Sequence, residues 1–299
     1  MRGSLLVHGP TARVGPEERT HVMHKVWLIT GATSGFGRAI AEAAVAAGDV
    51  VVGAARRPAG LDDLVAAHPD QVEAIRLDVA DTTAAEEVVR DVVARHGRID
   101  VLVNNAGRGM VGAVEEATDA ELRQLMDLHF FGPAALTRAV LPHMRERRSG
   151  AVVQLTSMGG RFAFAGVGAY CATKFALEGL SEALAAEVAP LGIKVLIVEP
   201  GAFRTGFAGA GALMRSEALP AYDESVGPVR AGLSDSDGAQ PGDPAKAADA
   251  ILTALEAPDT PLRLPLGSDA ADAVGAHLEG LRKELAAWEG LTRSTDFDA

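Results

Sequence analysis

Short apolar runs separated by longer amphipathic stretches recur along this chain from Lys25 onward, and this alternation constrains the fold more than any other feature. The runs are Val26–Thr30, Val50–Ala54, Val72–Leu77, Ile99–Asn104, Ala151–Thr156 and Ile193–Val198, with a weaker one at Leu262–Leu266. None alternates strictly between apolar and polar residues, as expected of strands covered on both faces. Between them lie Gly35–Ala47, Thr83–His96, Asp119–Glu146, Ala169–Val188, Pro244–Glu256 and Asp269–Trp288, which have helical spacing. Pro190 and Gly192 close the stretch at Ala169–Val188, and Pro142 is expected to end or kink Asp119–Glu146. The alternation predicts an α/β fold, a doubly wound parallel sheet of about seven strands with helices on both faces. No linker or internal repeat divides the chain, so residues 23–299 read as a single domain.

With 48% hydrophobic residues the chain can bury a substantial core, and with only 4% aromatics that core suits close packing of helices on a sheet. A formal net charge of -12 argues against nucleic acid and anionic lipid as partners. Cys171 is the sole cysteine, so no intrachain disulfide forms and a cytoplasmic setting fits. Its bland reading, a small buried thiol, is preferred to a nucleophile. No apolar run reaches the ~18 to 20 residues of a membrane helix, and no metal is expected. Residues 1–22 lack both periodicity and the apolar core of a signal peptide, and are expected to be a disordered extension. From Gly206 to Gly242 the chain is rich in Gly, Ala, Ser, Asp and Pro with scattered apolar residues. Such a segment after the sixth strand is expected to be a substrate lid over the carboxyl edge of the sheet.

Gly31, Gly35 and Gly37 follow the first strand and open the first helix. Small residues there let the backbone approach a pyrophosphate, and the helix N-terminus offers free N–H groups to it. After the second strand, where an acidic residue would take the 2′-hydroxyl of NAD, the chain reads Arg56-Arg57. Two guanidiniums suit a 2′-phosphate, so NADP is expected over NAD.

Tyr170 and Lys174 lie four apart on one helix face, and Ser157 follows the fifth strand. A tyrosine of ordinary pKa ~10 is a poor base near neutrality. A lysine charge beside it favours the phenolate, fitting it to exchange a proton with a carbonyl oxygen. Ser157 is expected to donate a hydrogen bond to that oxygen.

In these motifs the sequence resembles the short-chain dehydrogenase/reductase family, over nearly all of Met23 to Gly267. The resemblance implies a Rossmann-type fold and a cofactor turn holding Gly31, Thr33, Ser34, Gly35, Phe36 and Gly37. It further implies adenine contacts from Asp78 and Val79, and a basic 2′-phosphate partner in Arg56. Asn105, Ala106 and Gly107 would line the cofactor, and Pro200, Gly201 and Thr205 would meet its carboxamide end. Ser157, Tyr170 and Lys174 match the catalytic trio, Lys174 also holding the nicotinamide ribose. Where members often carry an asparagine that holds a relay water, this chain has His129, which is expected to take that role.

The expected activity is NADP-dependent interconversion of a ketone or aldehyde and an alcohol. Met158, Phe162, Phe164, Phe203 and the lid would line a pocket for a hydrophobic or cyclic substrate. A non-catalytic NADP sensor is the rival class, and a dehydratase or epimerase a variant within the enzyme class. The helices at Asp119–Glu146 and Ala169–Val188 resemble those that pair subunits in the family, implying a homodimer or homotetramer.

Overall fold

The computed structural model describes residues 24–207, 209, 211–236 and 238–297, and the extension expected at residues 1–22 lies outside them. β1 (Val26–Thr30) feeds α1 (Gly35–Ala46), and β2 (Val50–Ala55) leads through α2 (Asp62–Ala67) to β3 (Val72–Arg76). α3 (Ala85–His96) returns the chain to β4 (Val101–Asn104), followed by a short β5 (Gly109–Val111). Next come α4 (Asp119–Met126), α5 (Gly132–Arg147), β6 (Gly150–Leu155), α6 (Gly168–Val188) and β7 (Ile193–Pro200). β8 (Leu213–Arg215) and α7 (Asp223–Asp235) precede α8 (Pro244–Glu256), β9 (Arg263–Leu266) and α9 (Ser268–Arg293).

Seven strands form one parallel sheet in the order β3-β2-β1-β4-β6-β7-β9. The chain winds outward from β1 to β3, then crosses back to place β4 on the other side of β1. That reversal opens a crevice at the carboxyl ends of β1 and β4, where ligands bind in doubly wound sheets. Successive residues of one strand serve opposite cores. Trp27 and Ile29 pack with Ile40 and Ala44 of α1 and Ala248 and Ile251 of α8. Val26 and Leu28 pack with Val89 of α3, Leu136 and Val140 of α5, and Leu184 of α6. Both faces are covered, which is why the strands at the centre of the sheet are mostly apolar.

Asp119–Glu146 is helical throughout, as α4 to Met126, a π-helical turn over Asp127–Phe131, and α5. Pro142 does not end α5, which runs on to Arg147. It sits on an exposed flank, so the Arg138 carbonyl that it leaves without an N–H faces water. The segment between Gly206 and Gly242 holds regular structure. Leu213 to Arg215 pair with Gly109 to Val111 as a second, two-stranded parallel sheet, and Leu213 and Val226 are buried. Arg230 forms an ion pair with the buried Glu116, which also accepts from the Leu219 N–H at 2.7 Å and the Ala113 N–H at 2.6 Å.

Candidate active site

The glycine turn between β1 and α1 is held by the end of β4. The Asn105 side chain donates to the Thr30 carbonyl at 2.8 Å and the Gly31 carbonyl at 3.2 Å. The backbone N–H groups of Asn105 and Ala106 donate to Thr30 Oγ1 at 2.9 and 3.0 Å. Gly31 and Gly35 have φ of 65° and 54°, the left-handed region that favours glycine. Gly37 is required for space: a Cβ there would lie 2.4 Å from the Gly31 carbonyl oxygen. Ser34, the N-cap of α1, makes no side-chain cap bond, and the first turn holds no acidic residue. The leading N–H groups of α1 therefore remain available to an anion.

Above this turn lies a cleft of about 820 Å³. Gly31, Thr33, Ser34, Gly35 and Phe36 line one end with Arg56, Arg57, Asp78 and Val79. Asn105, Ala106, Gly107, Pro200, Gly201 and Thr205 line its middle, and Ser157, Tyr170 and Lys174 its inner wall. Glycines that leave room for a ligand backbone, free helix N–H groups and two exposed arginines at one end suit a phosphorylated dinucleotide. Of the expected site residues, Gly37 and His129 lie off the cleft wall; Gly37 is tucked beneath the turn.

Ser157, just after β6, and Tyr170, in the first turn of α6, both line the cleft, with Ser157 near enough to influence the phenol. Ser157 Oγ accepts from the Gly159 N–H at 3.0 Å, which aims the hydroxyl. The Lys174 ammonium lies 5.6 Å from the centre of the Tyr170 ring and donates to the Leu155 carbonyl at 2.9 Å. Burial dominates the electrostatics of both groups. Burial pushes the Tyr170 hydroxyl above its ordinary pKa, and the Ser157 hydrogen bond only partly offsets this. Burial also lowers the pKa of Lys174, to about 8, while the Glu178 charge opposes that fall.

Behind Lys174 lies a charge network that the sequence reading overlooked. Glu178, one helical turn on, counters the burial of Lys174 and contacts Thr156 Oγ1 at 2.7 Å. Its other oxygen meets Arg263 at 3.1 Å, and Arg263 also approaches the fully buried Glu199 at 3.4 Å. The signal was legible, since Tyr170, Lys174 and Glu178 repeat every four residues along one helix face. Phe162, expected in the pocket, instead stacks on His277 of α9 at 5.5 Å, whereas Met158, Phe164 and Phe203 line the cleft as expected. Met110, Leu128, Phe207 and Leu213 join them.

The relay expected of His129 finds no free ring nitrogen. Nε2 accepts the Arg108 N–H at 3.1 Å, and Nδ1 lies 2.8 Å from Thr173 Oγ1, which itself donates to the Tyr170 carbonyl at 2.8 Å. This network assigns a neutral ring protonated at Nδ1. Burial, with help from the Lys174 and Arg108 charges, holds the pKa well below the ordinary histidine value. The unfolded chain therefore binds the extra proton first. Stability is complete above about pH 6.5 and falls as pH drops below it, by up to about 1.4 kcal/mol per unit from this residue. Urea titrations at pH 7 and 5.5 should show a smaller acid-induced loss in His129→Asn than in wild type; an equal loss would contradict this assignment.

Comparison with known proteins agrees with this architecture. The family model described as short chain dehydrogenase matches residues 25–213. The chain belongs to the short-chain dehydrogenase family. A relative of this short-chain dehydrogenase, oxidoreductase BOA17 of Botryotinia fuckeliana (strain B05.10), is 37% identical and covers 90% of this chain and 98% of its own. The crystal structure of a short-chain dehydrogenase from Streptomyces avermitilis superimposes with a TM-score of 0.87 at 63% identity, covering 92% of this chain and 99% of that one. A metagenomic short-chain oxidoreductase in complex with NADP has a TM-score of 0.63 at 28% identity, covering 81% of this chain and 96% of that one. A 3-ketoacyl-(acyl-carrier-protein) reductase from Brucella melitensis complexed with NADH has a TM-score of 0.68 at 26% identity, with the same coverage. The chain is an NAD(P)-dependent oxidoreductase. Among the described residues, no helix is long and apolar enough to cross a membrane, and no group of His, Cys, Asp and Glu is placed to hold a metal ion.

Proposed function

We propose that this short-chain dehydrogenase interconverts a ketone or aldehyde and its alcohol, with NADP as cofactor and a hydrophobic substrate. The observation that carries the reading is that Ser157, Tyr170 and Lys174 together line the wall of the cleft that contains the glycine turn. The nicotinamide, when bound, supplies or accepts hydride. Tyr170 gives a proton to the substrate oxygen during reduction and takes it back during oxidation. Ser157 donates a hydrogen bond to the same oxygen as charge develops there. Lys174, charged below its pKa of about 8, stabilises the phenolate left on Tyr170 and reaches a ribose hydroxyl. Burial keeps the Tyr170 phenol protonated near neutrality, and Lys174 and Ser157 offset the weakening of it as an acid.

Arg56 and Arg57 support NADP: both are exposed and line the cleft end next to Thr33 and Asp78. Replacing both by alanine should weaken NADPH binding by roughly 10- to 100-fold, the value of one or two charge-assisted hydrogen bonds, and leave NADH binding unchanged. Fluorescence titration with each nucleotide measures this, and an equal loss for both would refute the preference. A substrate end lined by Met110, Leu128, Phe164, Phe207 and Leu213 supports an apolar substrate. The segment from β8 through α7, which contributes Leu213 and Leu233 to that end, acts as its lid. The activity is tested by NADPH consumption against a panel of cyclic and long-chain ketones. Nucleotide binding without turnover on any of them would favour a sensor.

A further inference from the structure

The segment that closes the substrate end of the cleft has little apolar packing to hold it down. Among the described residues of 206–242, Leu213 and Val226 are the only buried apolar side chains, at 5% and 2% exposure. β8 is three residues long, and a two-stranded ribbon that short is not stable alone. A carboxylate of the body supplies what is missing. Glu116 lies between β5 and α4, and its side chain is fully buried. Its Oε1 accepts the N–H of Leu219, which follows β8, at 2.7 Å. Its Oε2 accepts the Ala113 N–H beside β5 at 2.6 Å and pairs with the guanidinium of Arg230 in α7. One carboxylate thus ties two points of the lid to the body. The two meet without a gap here, since a Cβ on Gly112 would lie 2.8 Å from Ser216 Cβ.

Only a carboxylate fits this place. An amide has one acceptor oxygen, so a glutamine would set an NH2 group against the N–H of either Leu219 or Ala113. A buried carboxylate stripped of its cation is costly, so the contact favours being made in full over being half made. Its consequence reaches the substrate end of the cleft. Arg230 and Leu233 lie three apart on one face of α7, and Leu233 lines the cleft together with Phe207 and Leu213. Glu116 and Arg230 themselves do not line it. We propose that Glu116 and Arg230 are positioning residues for the carbonyl substrate, a latch that holds Leu213 and Leu233 over the cleft and sets substrate affinity from outside it. The role rests on the carbonyl-reducing activity proposed above. Tyr222 of the lid donates to the exposed Glu115 at the outer edge of the same seam.

In the full-length protein, Glu116→Gln and Arg230→Met should each raise KM for a ketone roughly tenfold or more, with kcat and NADPH affinity within about twofold of wild type. Arg230→Lys keeps the charge and should recover most of the lost KM, which a merely destabilising substitution would not allow. Hydrogen exchange of the NADPH-bound protein needs no turnover. The amides of Leu213–Arg215 should exchange roughly tenfold faster in Glu116→Gln and Arg230→Met, while those of β1 and β4 stay as in wild type. Arg230 is 20% exposed along its side chain, so its two variants decide the question if Glu116→Gln fails to fold. Unchanged exchange in β8 would overturn the latch, and so would faster exchange with an unaltered KM. A wild-type protein that reduces no ketone would defeat the carbonyl reading instead, and β8 exchange would still report whether the pair holds the lid.

Discussion

Tyr170→Phe is expected to lower kcat/KM for carbonyl reduction by about 10²- to 10⁴-fold, the span attributed to positioned acid–base catalysis. The substitution removes one oxygen and leaves the ring contacts with His129 and Phe207, each 5.7 Å between ring centres, in place. Ser157 keeps its bond from the Gly159 N–H. Nucleotide affinity and melting temperature should therefore stay near wild type, which separates lost chemistry from lost structure. Steady-state rates with saturating NADPH, alongside a fluorescence titration of NADPH, give both numbers. A variant that kept a tenth of the wild-type rate would remove Tyr170 from the proton transfer.

Gly37→Ala should have the next largest effect. Its methyl would sit 2.4 Å from the Gly31 carbonyl oxygen and 2.5 Å from Asn105 Nδ2, and neither is the free end of a flexible chain. Gly31 is fixed in the turn, and Asn105 Nδ2 is already spent on the Thr30 and Gly31 carbonyls. The turn must shift away from β4, at a cost of about 1–3 kcal/mol in stability by analogy with other overpacked sites. Because the same turn frames the nucleotide end of the cleft, NADPH affinity should fall by more than about tenfold, roughly 1.4 kcal/mol. Gly179→Ala in α6 is the control. Nothing lies within 4 Å of the added carbon on that exposed helix face, so it should gain about 0.5–1 kcal/mol. Urea melts of the two variants with and without NADPH decide the matter; a neutral Gly37→Ala would show that the turn is looser than its packing indicates.

The sheet was legible in the sequence because its central strands β1, β2, β4 and β6 are buried on both faces and are mostly apolar. The glycine turn and the Ser157, Tyr170 and Lys174 trio were legible because their spacing is local. What escaped depends on partners distant in the chain. β5 and β8 are three residues each and exist only by pairing with one another, so neither has a periodicity to detect. The π-helical turn at Asp127–Phe131 adds a residue to the helical repeat and swings His129 inward, which no single-sequence pattern announces. The electrostatics of Tyr170 escaped for another reason. Four-residue spacing puts Lys174 on the same helix face but does not say how deeply the pair is buried, and burial dominates the pKa of both.

The imidazole of His129 acts as a strut. One nitrogen holds the N–H of Arg108 and the other holds Thr173, and a Cβ on Gly107 would touch the ring at 3.3 Å. The loop leaving β4 and the helix carrying Tyr170 are thereby locked into a common rigid frame. Through the Thr173 bond to the Tyr170 carbonyl, that frame reaches the backbone of Tyr170 itself, so the loop and the phenol are positioned together.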